Sequence, residues 1–144
     1  MSPHPAPVSP PDFVDRVNER LAAFLDGQAG EVRGISPHAV ELVASLRDLT
    51  RGGKRMRALF AHWGFRGAGG SADDDAAVVA GVALELFQAA ALVHDDVIDR
   101  SATRRGMPAV HRRFAALHAE RGWRRDGDRF GEAAAILAGD LALS

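Results

Sequence analysis

Apolar residues recur at three- and four-residue intervals through most of the chain, the period of a helix with one buried face. Phe13, Val17, Leu21, Phe24 and Leu25 mark a first helix from Asp12, which Gly27 and Gly30 are expected to break. Ser36 followed by Pro37 reads as an N-cap and the first residue of a second helix. Its stripe is Val40, Val43, Leu46 and Leu49, and Gly52-Gly53 stops it. A third helix starts at Lys54 and carries Leu59, Phe60 and Trp63 as far as the glycines at 64, 67, 69 and 70. Ser71 with Asp74 is a capping pair for a fourth, from about Asp74 to Arg100. Pro108 can open a fifth, with Val110, Phe114 and Leu117 as its stripe. A polar loop over 121–128 then leads to a sixth, with Phe130, Ala134, Ile136, Leu137 and Leu141. No segment alternates with period two and no repeat is visible, so the fold class is all-α, helices joined by short loops.

The fourth helix has an apolar interior, yet Asp95, Asp96 and Asp99 crowd its last turns. The partial negative charge of a helix C-terminus repels anions, and Asp95 and Asp99 are like charges one turn apart. A compensating cation is therefore expected, either Arg100, Arg104 and Arg105 or a divalent metal, for which paired carboxylates are suitable hard ligands. Gln88 lies seven residues before Asp95, on the same face and about 10 Å away. The third helix makes the opposite departure: Lys54 and Arg57 stand in its first turn, where the dipole favours anions. A Gly-Gly turn feeding that end offers free backbone N–H groups and two cations to one phosphate.

Bulk composition narrows the classes further. With 47% hydrophobic and 26% charged residues in 144, the chain is one globular domain or part of one. A formal net charge of −1 favours neither nucleic acid nor a membrane surface as partner. No cysteine is present, which removes thiolate chemistry and suits a reducing compartment. The apolar stretch from Ala76 to Val93 approaches spanning length but carries Glu85 and Gln88, so a buried helix is expected rather than a membrane span. No secretory signal is apparent, and a cytoplasmic location is the default. Residues 1–11 hold five of the seven prolines and read as a mobile arm ahead of a helical domain over 12–144.

Four blocks, taken together in their order and spacing, carry a resemblance: GGKRMR (Gly52 to Arg57), Gln88, DDVID (Asp95 to Asp99) and RRGMP (Arg104 to Pro108). The set resembles the polyprenyl synthetase family, the trans-isoprenyl diphosphate synthases, and GEAAAILAGDLAL (Gly131 to Leu143) is similar to the family's next helix. The resemblance implies an isoprenoid-synthase-like helical bundle that condenses isopentenyl diphosphate with an allylic diphosphate. It implies that Asp95 and Asp99 hold Mg²⁺ against the allylic diphosphate, with Asp96 assisting. Lys54, Arg57 and Gln88 would grip isopentenyl diphosphate, while Arg104 would contact the allylic diphosphate and Arg105 the isopentenyl one. His94 and His111 would be structural. Members of the family are usually homodimers.

An allylic tail held at Asp95 and Asp99 would run back along the fourth helix past Ala90 and Ala91 to Phe87. Alanine at the first level leaves the pocket open where enzymes making the C15 product commonly carry an aromatic residue, so a product of about C20 or longer is expected. Two departures stand out: Ala58 replaces the family's proline, and the family's second aspartate-rich motif is not in this sequence. The chain is thus expected to be the N-terminal part of such an enzyme, cut after about six helices and inactive alone. A non-catalytic partner subunit and a fragment of a class I terpene cyclase are the alternatives. The clustered aspartates count against the first, and the basic turn at Gly52 to Arg57 against the second.

Overall fold

A computed structural model describes residues 10–72 and 74–144; most of the proline-rich arm expected over 1–11 lies outside the described residues. The chain forms α1 (Pro10–Ile35), a 3-10 turn (Pro37–Ala39), α2 (Val40–Thr50), α3 (Met56–Gly67) and α4 (Ala76–Ile98). A minimal hairpin, β1 (Thr103–Arg104) and β2 (Met107–Pro108), precedes α5 (Val110–Glu120) and α6 (Gly127–Leu143). The all-α expectation holds, apart from this two-residue antiparallel ladder, in which Thr103 faces Pro108 and Arg104 faces Met107.

Several boundaries differ from the sequence reading for physical reasons. α1 includes Pro10 and Pro11, which moves the head of the helical domain into the expected arm. It also runs straight through Gly27 and Gly30. Each glycine costs about 1 kcal/mol against alanine, but Leu25 and Val32 on either side are buried, and Arg47 of α2 pairs with Asp26. Packing outweighs propensity there. Ser36 does cap, but its Oγ accepts the His38 N–H at the 3-10 turn, and α2 proper begins at Val40. α3 begins at Met56 rather than Lys54 because Arg55 adopts a left-handed conformation, φ 48°. At the head of α4, Asp74 Oδ1 accepts the Ala76 N–H at 2.8 Å, so the helix starts at Ala76. Pro108 belongs to the hairpin, and α5 opens two residues later. Asp126 accepts from the N–H groups of Asp128 and Arg129, which starts α6 at Gly127, ahead of Phe130.

α4 is the helix that both cores share. The first core gathers Phe13, Val17 and Leu21 of α1, Leu46 of α2, Ala58 of α3 and Val82 and Leu86 of α4. The second gathers Val93 of α4, Val110 and Phe114 of α5 and Ala134, Ala135 and Ala138 of α6. Burying a side chain such as Phe13 or Val93, both at 0% exposure, contributes about 2 kcal/mol each. Two glycines let helices meet closely. A Cβ on Gly81 would lie 2.9 Å from the Ala58 Cβ, and one on Gly131 would lie 2.2 Å from the His111 carbonyl oxygen. By length and composition α4 could cross a membrane; its packing against α1, α3 and α6 makes it the central helix of this bundle.

Candidate active site

The acidic end of α4 closes with an unusual residue. Ser101 N–H reaches back to the Asp96 carbonyl (2.9 Å) and Arg100 N–H to that of Val97 (3.3 Å), the paired bonds of a Schellman motif. Arg100 occupies the left-handed position, φ 52°, where glycine is usual. Helical phase separates the three carboxylates. Asp96 is 1% exposed and faces inward, whereas Asp95 and Asp99 face solvent.

Arg104 answers the inward charge. Its Nη2 donates to Asp96 Oδ1 at 2.5 Å and its Nε at 3.0 Å, and the same Nη2 lies 3.4 Å from Asp95 Oδ2. The Asp96 hydrogen bond, opposed by burial and helped by the charges of Asp96, Asp95 and Asp99, raises the Arg104 pKa above its ordinary value. The hairpin aims Arg104 there. Its two-residue turn, Arg105-Gly106, has φ of 53° and 77°, the pair of positive values a type I′ turn needs.

Arg105 and the basic turn converge on the end of α2. Arg105 Nη1 donates to the Leu49 carbonyl oxygen at 3.2 Å, and Arg55 Nη2 to that of Thr50 at 2.7 Å. The last carbonyls of a helix lack partners within it, so two neighbouring acceptors on α2 each take an arginine from a different motif. Arg55 also donates through Nε to Asn18 Oδ1 and through Nη1 to Glu85 Oε2, both at 2.8 Å. A closed circuit results: α4 through Asp96 and Arg104 to the hairpin, through Arg105 and Leu49 to α2, and through Thr50, Arg55 and Glu85 back to α4.

The expected substrate residues lie around this circuit. Lys54 and Arg57 are exposed on either side of the buried Arg55, and Gln88 is half-buried on α4, one turn beyond Glu85. Packing register relates them. Ala58 sits at Gly81 and the Arg55 side chain reaches Glu85, so stepping back along α3 advances along α4 toward Gln88. An exposed ridge of four-residue steps, Ala83, Phe87, Ala91, Asp95 and Asp99, winds round α4 and at Asp95 reaches the face that carries Gln88. Phe87 also lines an apolar groove of about 570 Å³ between α1 and α4, with Phe24, Val82, Ala83 and Leu143. Ala90 is not on that ridge: at 1% exposure it belongs to the first core, one helical step round from Ala91.

Sequence reasoning did not single out Arg55, Asn18 or Thr50. The signal was Glu85, a carboxylate amid apolar residues of a central helix, which burial requires to find a cation. The histidines hold structural places. His94 Nε2 lies 3.3 Å from the Ile136 carbonyl oxygen and 3.5 Å from Asp140. His62 stacks on Phe13 with ring centroids 4.1 Å apart. His62 and His111 are buried with Nδ1 unpartnered, and burial lowers both pKa values.

Among the described residues no three metal-ligating side chains form a cluster. The donor set still fits Mg²⁺, which typically takes one or two carboxylates and completes its shell with water and phosphate oxygens. The Asp99 carboxylate has no hydrogen bond or ion pair among the described residues, and that of Asp95 has only the long edge contact with Arg104. Two hard oxygen donors one turn apart are thus available, while Asp96 is spent on Arg104.

The polyprenyl synthetase family model matches residues 40–144. Over 130 residues the chain is 40% identical to a probable farnesyl diphosphate synthase of Sinorhizobium fredii, covering 87% of this chain and 31% of that protein. It is 31% identical to the geranylgeranyl diphosphate synthase of Sulfolobus acidocaldarius, covering 90% and 31%. A solved geranylgeranyl pyrophosphate synthase from Corynebacterium glutamicum, complexed with isoprenyl diphosphate and magnesium, superposes with a TM-score of 0.82 at 40% identity, covering 91% of this chain and 38% of that one. The chain therefore spans about a third of the length of these relatives.

Proposed function

Since the chain belongs to the polyprenyl synthetase family, matched over residues 40–144, we propose that it supplies the isopentenyl diphosphate site and one wall of the metal site of a trans-prenyltransferase. The observation that carries this reading is the division among the charges: Asp95, Asp99, Lys54 and Arg57 face outward, while Asp96 and Arg55 are turned inward to hold them in place.

In this reading Lys54, Arg57 and Gln88 hold the diphosphate of isopentenyl diphosphate, with Arg105 reaching it from the hairpin. Arg104 and the two outward carboxylates face the allylic diphosphate, and Asp95 and Asp99 would hold Mg²⁺. Bound there, Mg²⁺ supplies charge neutralisation to a diphosphate leaving group. The allylic C–O bond breaks and its electron pair leaves with the diphosphate. The isopentenyl double bond then attacks the allylic cation, a C–C bond forms, and loss of one proton restores a double bond. Cations already in place around the leaving group lower that barrier, since they need not reorganise as charge develops. The apolar ridge of α4 keeps water from the cation.

The tail would lie along Ala91 toward Phe87, about 12 Å from Asp95 at 1.5 Å per residue. With alanine at the first level and Phe87 deeper, the product is C20 or longer. To the whole protein we also assign a cytoplasmic location, and the homodimer that the resemblance implies.

The test is a chimera in which residues 12–144 replace the matching segment of the Corynebacterium glutamicum enzyme. Supplied with Mg²⁺, isopentenyl diphosphate and an allylic diphosphate, it should release prenyl diphosphates of C20 or longer, and Phe87→Ala should lengthen them. A folded chimera without product would contradict the activity; C15 alone would contradict the chain length.

A further inference from the structure

The middle cation of the basic turn is the one that cannot reach a diphosphate. Arg55 is 7% exposed, and its guanidinium donates from all three nitrogens to three separate elements: Asn18 of α1, the last carbonyl of α2 and Glu85 of α4. Its backbone is left-handed, which for a residue with a Cβ costs about 1 kcal/mol. Glycine at 55 would avoid that strain but would lose the three bonds. An observed outlier over-determined by its surroundings points to a positional role.

We propose that Arg55 is a positioning residue for the diphosphate site: latched to Asn18, Thr50 and Glu85, it fixes the Gly52 to Lys54 turn against α1, α2 and α4 and leaves Lys54 and Arg57 directed outward. This rests on the reading of that turn as a diphosphate site. The fork is what matters. Arg55 Nε and Nη1 reach acceptors on α1 and α4 that a lysine ammonium, a single point charge, cannot span in the same geometry. With the latch released, Gly52 and Gly53, both at positive φ (71° and 95°), have no side chain to restrain them, and the turn carrying Lys54 is free to move relative to Arg57 on α3. Glu85 acts on the site through Arg55 although it touches no substrate itself.

The test uses the chain and inorganic pyrophosphate as probe, with affinity read by calorimetry and backbone amides by nitrogen-15 NMR. Arg55→Lys and Glu85→Gln should each weaken pyrophosphate binding about tenfold, the loss expected from one charged hydrogen bond. They should also move the amide resonances of Gly52, Gly53 and Lys54 while leaving those of α5 and α6 in place. Asn18→Ala, on the exposed side of α1, should give a smaller loss in the same direction and guards against simple misfolding. A merely structural Arg55 would lower the melting temperature and leave affinity and turn resonances of the folded protein unchanged; that result overturns the latch. Absence of pyrophosphate binding by the parent chain would instead overturn the reading of the turn itself.

Discussion

The two halves of the bundle solve one problem in unequal ways. Each carries a basic motif, and in each motif one arginine turns onto a carboxylate of α4. In the half built from α1, α2 and α3 that pair is Arg55 with Glu85, whose side chains are 6% and 14% exposed, held by two further bonds. In the half built from α5 and α6 it is Arg104 with Asp96, an arginine 29% exposed on a two-stranded hairpin. The first is a joint between three helices. The second is a clasp on a loop. A residue's type within a basic motif is therefore no guide to its task, because Arg55 is buried in the frame while Lys54 and Arg57 beside it face solvent.

Removing Arg55 should produce the largest effect. Arg55→Gln leaves Glu85 uncompensated and strips Asn18 and Thr50 of their donor, which should cost about 4 kcal/mol in urea unfolding. Arg104→Gln leaves Asp96 buried without its cation, but water can reach the hairpin, so a smaller loss of about 3 kcal/mol is expected. Hydrogen exchange would sharpen the contrast: the Arg55 variant should lose protection in α1, α3 and α4, and the Arg104 variant mainly from Thr103 to Pro108.

This difference also explains what could be read in advance. Apolar periodicity exposed all six helices, because one buried face per helix is a local property of the sequence. The outward residues Asp95, Asp99, Lys54 and Arg57 were legible as charges at the wrong ends of helices. Helical phase sets Asp96 apart from Asp95 and Asp99, but its pairing with Arg104, like the burial of Arg55, depends on partners distant in sequence, 37 residues away for Asn18. The hairpin was missed because two residues per strand give no alternation to detect. Ala90 and Ala91 were taken at one level, yet a helical step of 100° puts one in the core and one on the ridge.

Each half also buries a histidine, and pH separates them. Burial, then Arg66 and Arg16, lower the pKa of His62; burial and Arg112 lower that of His111, against Asp96, Glu132 and Asp128. The unfolded chain binds protons near the usual pKa of about 6.5, while the folded chain resists them. Stability should thus be full above about pH 6.5 and fall as pH drops toward the lowered folded values. His62→Phe, which keeps the stack on Phe13, should flatten this dependence more than His111→Phe, since among the described residues no acid offsets the cations around His62. Melting temperatures between pH 5 and 8 would check it.

The smallest effect is expected at the end of α4. Arg100→Gly relieves a left-handed arginine and should stabilise the chain by about 1 kcal/mol, with the Schellman bonds intact.

Asp99 is an outward carboxylate with no hydrogen bond or ion pair to its side chain among the described residues. Pyrophosphate binding should be measured by calorimetry with and without Mg²⁺, in the parent chain and in Asp99→Asn. Mg²⁺ should strengthen binding in the parent, and Asp99→Asn should remove most of that gain without lowering the melting temperature. Equal Mg²⁺ dependence in both proteins, or none in the parent, would contradict the assignment of α4's outward carboxylates to a metal-diphosphate site.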